Sequence, residues 1–187
     1  MHFLCLVVGD DPHEALAPFA SHLEIPRWKE FLEAEEVASM AREYGLRTDD
    51  LDGLAAKMQE WAEEEGGAEN GRLFRWTTSN PQAQYDYYKI GGRFDGYLEL
   101  LRPRPPGFLA RMFGAKPKSR VNLARKSEVD LEMIRKDPPA ALLLDGQWHE
   151  CPISTDPEIL KEWDTRFARL LDSISPDALL TVVDVHS

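Results

Sequence analysis

Long apolar runs, closely spaced cysteines, internal repeats and an excess of basic residues are all missing from this chain of 187 residues. Each absence removes a class of protein. No apolar stretch approaches the roughly 20 residues that span a bilayer, so a soluble globule is expected. Cys5 and Cys151 are the only cysteines, and their separation gives neither a zinc knuckle nor a disulfide framework; both are expected as reduced thiols. The opening Met1 to Val8 has no basic leader and runs into Gly9-Asp10-Asp11. It reads as a strand and not as a secretory signal, which implies a cytoplasmic location. The formal net charge of -11 disfavours broad binding to a phosphate backbone, so nucleic acid is not expected outside one basic loop. Neither a dinucleotide-binding fingerprint nor a phosphate-binding P-loop is present, and no Ser-His-Asp or Cys-His set can be picked out by spacing. No cofactor is assigned.

What is there fits a single domain over 1–187. His2 to Val8 is apolar on both alternating faces, the pattern of a strand covered on both sides. Asp11-Pro12 is an N-cap followed by proline at the first helical position, opening a helix to about Ala20. Helical pattern recurs from Trp28 to Tyr44, stopping at Gly45. A further helix capped by Thr48 carries the stripe Leu51, Leu54, Ala55, Met58, Trp61 and Ala62, which reads as core. Strands are expected at Leu73 to Thr78, Phe94 to Leu101, Ala140 to Leu144 and Gln147 to Cys151, the last two joined by the hairpin signal Asp145-Gly146. Asp156-Pro157 opens the best amphipathic helix, with Ile159, Leu160, Trp163, Phe167, Leu170, Leu171 and Ile174 on one face. Leu179 to Val185 closes the chain as a strand. The fold class is therefore α+β: a mostly antiparallel sheet with the N- and C-terminal strands inside it and amphipathic helices packed on its faces.

One segment breaks the acidic pattern. Between Arg102 and Lys126 stand Arg102, Arg104, Arg111, Lys116, Lys118, Arg120, Arg125 and Lys126, with no acid among them. This Pro/Gly-containing loop at about 102–126 has two readings: a solvated loop leaning on its own acidic protein, or a basic lid over an anionic ligand.

Chemistry is densest in Asn80-Pro81-Gln82-Ala83-Gln84-Tyr85-Asp86-Tyr87-Tyr88-Lys89-Ile90-Gly91-Gly92-Arg93-Phe94. Asn80-Pro81 and Gly91-Gly92 predict a short helix over Pro81 to Ile90 that hands over to a strand at Arg93. In the ligand-site reading, Gly91 and Gly92 let backbone approach a bound group, Arg93 holds phosphate or carboxylate, and Tyr85, Tyr87 and Tyr88 stack on a ring. In the structural reading Asp86 pairs with Arg93, the tyrosines fill the core edge and the glycines only cap a helix. At the C-terminus Asp184 and His186 share a strand face about 7 Å apart, and a carboxylate can orient an imidazole for acid–base work. Asp10 and Asp11 can join them if the first and last strands are neighbours, which would suit a hard cation; their alternative role is helix capping. Ser127 and Asp130 read as a helix start.

The same residues resemble an uncharacterised family of bacterial and phage-encoded proteins with the motif Asn-Pro-x-x-x-Trp-Asp-Trp-Tyr-x-Ile-Gly-Gly-Arg-Trp. Here it stands as Asn80-Pro81, Tyr85-Asp86-Tyr87-Tyr88 and Ile90-Gly91-Gly92-Arg93-Phe94. The likeness extends to Pro26-Arg27-Trp28-Lys29-Glu30, Glu35-Glu36-Val37, Lys126 with Glu128 and Asp130, Asp145-Gly146-Gln147-Trp148, and the ending Leu179 to His186. Family members carry tryptophan at the positions of Tyr85, Tyr87 and Phe94, and often cysteine at that of Val185. The resemblance implies that the central motif and the Asp-x-His ending belong to one fold, and it implies no activity.

Together these readings suggest a binding protein for a small anionic ligand, a nucleotide or sugar phosphate. Asp86, Tyr88, Gly91, Gly92 and Arg93 would bind it, with His186 as general acid/base oriented by Asp184. The alternative is a non-enzymatic protein-interaction protein, a phage or defence accessory. A third reading is a metal-dependent hydrolase built on Asp10, Asp184 and His186.

Overall fold

The computed structural model describes residues 1–61, 65–105 and 117–187. The fold is α+β with mostly antiparallel sheets, and the first and last strands both lie inside the main sheet. The chain divides into two compact units, one formed by Met1–Ser21 with Gln82–Ser187 and the other by His22–Pro81.

In the larger unit, β1 (His2–Val8) lies between β9 (Ala141–Leu144), to which it is parallel, and β11 (Leu179–His186), to which it is antiparallel. The hairpin partner β10 (Gln147–Glu150) extends the sheet beyond β9. On the far side of β11, two short strands share its edge: β5 (Tyr87–Ile90) along Val183 to His186, and β8 (Leu123–Arg125) along Leu179 to Thr181. Asp145 and Gly146 close the β9–β10 hairpin at φ +51° and +71°, the left-handed pair that a two-residue hairpin turn demands.

Alternation along β1 decides what covers each face. Leu4 and Leu6 face a core with Leu180 and Val182 of β11, Ile134 of α4 (Leu131–Lys136), and Trp163, Phe167 and Leu171 of α5 (Pro157–Ser173). Cys5 and Val7 face the other way, onto Leu16 of α1 (Pro12–Leu16), Phe19, Ala20, Tyr85, Val183 and Val185. Helices start where short acceptors cap them. Asp11 accepts from the amides of His13 and Glu14, Asp130 from Glu132, and Asp156 from Glu158. Beside this sheet, β6 (Leu98–Arg104) pairs with β7 (Lys118–Val121).

The smaller unit is a three-stranded antiparallel sheet, β2 (Trp28–Phe31), β4 (Arg72–Thr77) and β3 (Gly66–Glu69), in that order. Leu32 and Leu73 pack with Ala41 of α2 (Ala34–Tyr44) and with Leu54 and Met58 of α3 (Leu51–Trp61). Along β2 and β4 the opposite face carries Lys29, Phe31, Phe74 and Trp76.

Several expectations are corrected. Trp28 to Phe31 is a strand, not the start of a helix: its aromatics pair across to Phe74 and Thr77, and α2 begins only where Glu36 accepts from the Glu33 amide. The cap at α3 is Asp50, which accepts from the Gly53 amide, in place of Thr48. The strand expected from Phe94 begins at Leu98, because Gly92–Phe94 forms a 3-10 turn. Pro81 to Ile90 is not a helix either. Tyr85 makes an isolated bridge to Ala20 and Tyr87–Ile90 is a strand, because the edge of β11 offers a backbone ladder that a ten-residue isolated helix cannot match.

Candidate functional site

Register places the chemistry. His2 stands opposite His186 in the β1–β11 ladder, and His186 opposite Tyr87 of β5. Directly opposed residues project from the same face, so Tyr87, His186 and His2 form a row across three strands. The next row inward on that face is Lys89, Asp184 and Leu4.

Two carboxylate–imidazole pairs result. Asp86 is tied to His186 twice: its amide donates to the His186 carbonyl at 3.0 Å, and its Oδ1 lies 2.7 Å from His186 Nδ1. Asp184 Oδ1 lies 2.9 Å from His2 Nδ1, while its Oδ2 accepts from the Arg93 amide at 3.0 Å. An ionised carboxylate can only accept, so both Nδ1 atoms carry hydrogens. The two rings meet edge to face, with centroids 4.8 Å apart. Among the described residues neither Nε2 has a protein partner. The His2 and His186 side chains are 25% and 38% exposed.

The carboxylates are held ionised. For Asp86, the hydrogen bond from His186 is the main reason its carboxyl titrates below the usual range. For Asp184 the largest influence is burial, which acts to raise its pKa. It is outweighed by the Arg93 amide, the His2 hydrogen bond and the charges of His2 and Arg93, and the net direction is down.

The turn after β5 is built to bring Arg93 to this place. Gly91 and Gly92 have φ of +73° and +55°. A Cβ on Gly92 would sit 2.4 Å from Asp184 Cβ and Oδ2, and one on Gly91 would sit 2.3 Å from Asn122 Nδ2. Asn122 accepts from the Gly96 amide at 2.7 Å and donates to Asp95 at 2.6 Å, locking the turn. The Arg93 guanidinium and the Lys89 ammonium are exposed and free of ion pairs among the described residues.

The expected site is thus partly assembled. Asp86, Gly92, Arg93, Asp184 and His186 converge, and Gly91 shapes the turn. Asp86 pairs with His186 and not with Arg93, and it is Asp86, not Asp184, that orients His186. Tyr88 lies on the opposite sheet face beside Val185, where its hydroxyl meets His13 Nδ1 at 2.5 Å. Tyr85 is core, its hydroxyl donating to the Leu16 carbonyl at 3.1 Å. Asp10 does not join Asp184: the first and last strands are neighbours, but antiparallel pairing sends Asp10 to the far end of β1. Asp11 caps α1. No group of three or more His, Cys, Asp or Glu side chains among the described residues is placed to hold a metal ion.

His2 is the partner that sequence reading missed. Its signal was the first strand itself, since pairing β1 with β11 residue for residue puts His2 beside His186.

The basic segment resolves largely into local interactions. Arg104 pairs with Glu128 at 3.0 Å and Arg120 with Glu99 at 3.3 Å. Arg125 donates to the Asp177 carbonyl at 2.7 Å, and Lys126 is buried. Residues 106–116, including Arg111 and Lys116, lie outside the described residues, and with them the lid reading. Cys5 and Cys151 are both free thiols, and burial pushes both upward in pKa, so neither is an activated nucleophile. No helix among the described residues is long and apolar enough to cross a membrane.

Compared with known proteins, the chain matches no family model, no curated protein and no solved structure.

Proposed function

We propose that the protein binds a small phosphate ester, a nucleotide or sugar phosphate, at the His2–His186 end of the main sheet and acts on it by acid–base chemistry. The observation that carries this reading is the pair of imidazoles, each with Nδ1 held by its own carboxylate and Nε2 open. Arg93 and Lys89 supply the charge that would draw an anion to an otherwise acidic chain, with Arg93 suited to grip two phosphate oxygens at once. One imidazole Nε2 takes a proton from an attacking water as its oxygen bonds to phosphorus. The other, protonated, gives its proton to the leaving oxygen as the old P–O bond breaks. Two free thiols suit a reducing, cytoplasmic setting. Tyr87, 58% exposed in the same row, is the tyrosine placed to stack on a ring.

A thermal-shift screen against nucleoside monophosphates and sugar phosphates tests the reading. At least one should raise the melting temperature in the native chain and fail to do so in Arg93→Ala. A flat response throughout, or an unchanged response in that variant, sinks it.

A second reading, a protein-interaction accessory of phage or host defence, is favoured by the outer face of the small sheet. There Arg72 lies over Phe31 at 4.7 Å, Lys29 over Phe74 at 4.6 Å and Arg27 over Trp76 at 5.1 Å, and Trp76 is 38% exposed. It gains if no phosphate ester binds and a Trp76→Ser variant loses a co-purifying protein that the native chain retains.

A further inference from the structure

The β6–β7 ribbon changes character along its length. Its inner end belongs to the core: Leu98 and Leu100 are buried, and Val121 packs against the same cluster. Its outer half faces solvent, from Leu101, 64% exposed, to Pro105 on one side and from Lys118 to Arg120 on the other. That half carries Arg102, Arg104, Lys118 and Arg120 and no carboxylate of its own. A groove of about 460 Å³ adjoins it, lined by residues 100–105 with Ser127 and Glu128.

Register makes this placement unfavourable in the free protein. Arg104 stands directly opposite Lys118, and like charges so opposed repel across an antiparallel pair. Alternation along β7 puts Arg120 on the same face as Lys118, so three cations share one side of the ribbon. Two carboxylates from outside that half answer them, Glu128 at 3.0 Å from Arg104 and Glu99 at 3.3 Å from Arg120. Both pairs are open to water, with the arginine side chains 47% and 63% exposed, and such pairs hold weakly enough to exchange for another anion. Arg102 and Lys118 have no carboxylate partner among the described residues.

The layout says which anion fits. The cations are strung along two strands, so an extended polyanion meets more of them than a compact one does. Three of the four are arginines, whose planar forks take two phosphate oxygens at once. A two-stranded ribbon is also an element that the major groove of a duplex admits. We propose that the outer half of the β6–β7 ribbon docks on the phosphate backbone of a duplex nucleic acid. The acidic remainder of the chain opposes this, and salt screens that repulsion beyond about 8 Å, so contact is confined to the ribbon. The proposal goes beyond the phosphate-ester site and does not depend on it, since neither histidine, nor Lys89, nor Arg93 belongs to the ribbon.

The test is fluorescence anisotropy of labelled DNA and RNA duplexes with the full chain, in its native form, as Arg102→Glu/Lys118→Glu and as Arg93→Ala. Both reversed positions are exposed, and a thermal melt checks that the double variant is folded. The native chain should bind at least one duplex, with affinity falling about tenfold to a hundredfold between about 50 and 200 mM salt. At the lower salt the double variant should bind at least about tenfold more weakly, with a shallower salt dependence, while Arg93→Ala stays within about twofold. Polyglutamate displacing the duplex at equal charge would make the partner an acidic protein and overturn the proposal. Binding to phosphatidylserine–phosphatidylcholine vesicles and to neither duplex would overturn it in favour of a lipid surface. Loss of duplex binding in Arg93→Ala alone would move the nucleic acid to the histidine site. No binding to either duplex at low salt, or undiminished binding by the folded double variant, also overturns it.

Discussion

His2 and His186 oppose each other in the β1–β11 ladder with ring centroids 4.8 Å apart, yet each is anchored by a different aspartate arriving from a different direction. Asp86 comes from the segment before β5 and grips His186 from outside. Asp184, two residues before His186 on the same strand, grips His2 on the neighbouring one. Crossed anchoring makes the two rings separable by mutation, because loss of either carboxylate frees one imidazole and leaves the other held.

Asp184 should mark the acid limit of stability. Its folded pKa lies below the unfolded value of 3.8, so in acid the unfolded chain binds the proton more readily and stability rises with pH. The contribution is present above about pH 4 and disappears as pH falls through the folded value. Asp184→Asn keeps the shape but removes the charge, weakening hydrogen bonds from His2 and the Arg93 amide; at neutral pH it should cost about 1–3 kcal/mol. Urea midpoints of native and variant proteins should differ above about pH 4 and converge as pH falls through the folded value. A difference independent of pH would show that Asp184 acts through packing alone.

Gly92 is required for a steric reason that Gly146 lacks. Both have positive φ, +55° and +71°, so alanine at either is strained by about 1 kcal/mol. At Gly146 an added Cβ meets nothing within 4 Å among the described residues, whereas at Gly92 it collides with Asp184. Gly146→Ala should therefore lower stability by about 1 kcal/mol and Gly92→Ala by about 3 kcal/mol or more, the latter also pushing the Asp184 carboxylate away from His2 and breaking their hydrogen bond. Denaturant titration gives the ranking. A 2D NMR spectrum of the histidine ring protons shows whether His2 alone is disturbed.

How much of this was legible in the sequence follows from the range of the forces involved. The strand His2 to Val8, the Asp145-Gly146 hairpin and the helix opening at Asp156-Pro157 are set by local periodicity and turn chemistry, and they stand where those signals put them. Tyr87 to Ile90 did not yield, because Asn-Pro and Gly-Gly are sound helix boundaries locally; only the open edge of β11, about a hundred residues further along, makes a strand of the segment between them. The site divides along the same line. Gly-Gly-Arg and Asp-x-His announced themselves as clusters, but which aspartate serves which histidine depends on antiparallel register. That register also removed Asp10 and turned Tyr88 to the other face.

Tyr88 then becomes a sharp control. Its hydroxyl engages His13 on the face away from His186, so Tyr88→Phe should leave phosphate-ester affinity within about twofold while costing about 1 kcal/mol of stability through the missing hydrogen bond. Tyr87→Ala, exposed and in the histidine row, should do the reverse: little change in stability and affinity lowered by about tenfold, from about 1–3 kcal/mol of stacking that alanine cannot supply. Isothermal titration beside a melting curve separates them. If Tyr88→Phe abolished binding, the ligand would have to lie on the opposite face.

Lys126 shows that not all of the basic segment is solvent charge. Its Nζ donates to the Ile174 carbonyl at 2.6 Å and the Asp172 carbonyl at 3.4 Å, where the last carbonyls of α5 have no partner in the helix and the helix end is negative. Lys126→Met keeps the apolar stem and removes the donors, taking the Lys126 partner from the buried Ile174 carbonyl. The expected loss is about 2 kcal/mol. Arg120→Met is the comparison, since that guanidinium is 63% exposed and 3.3 Å from Glu99, an ion pair that water and salt screen. It should change stability by about 0.5 kcal/mol or less. Adding about 0.5 M salt sharpens the contrast, because screening erases what little the exposed pair contributes and leaves the buried donor's contribution intact. Equal and salt-sensitive losses for the two variants would return Lys126 to the solvated charge block.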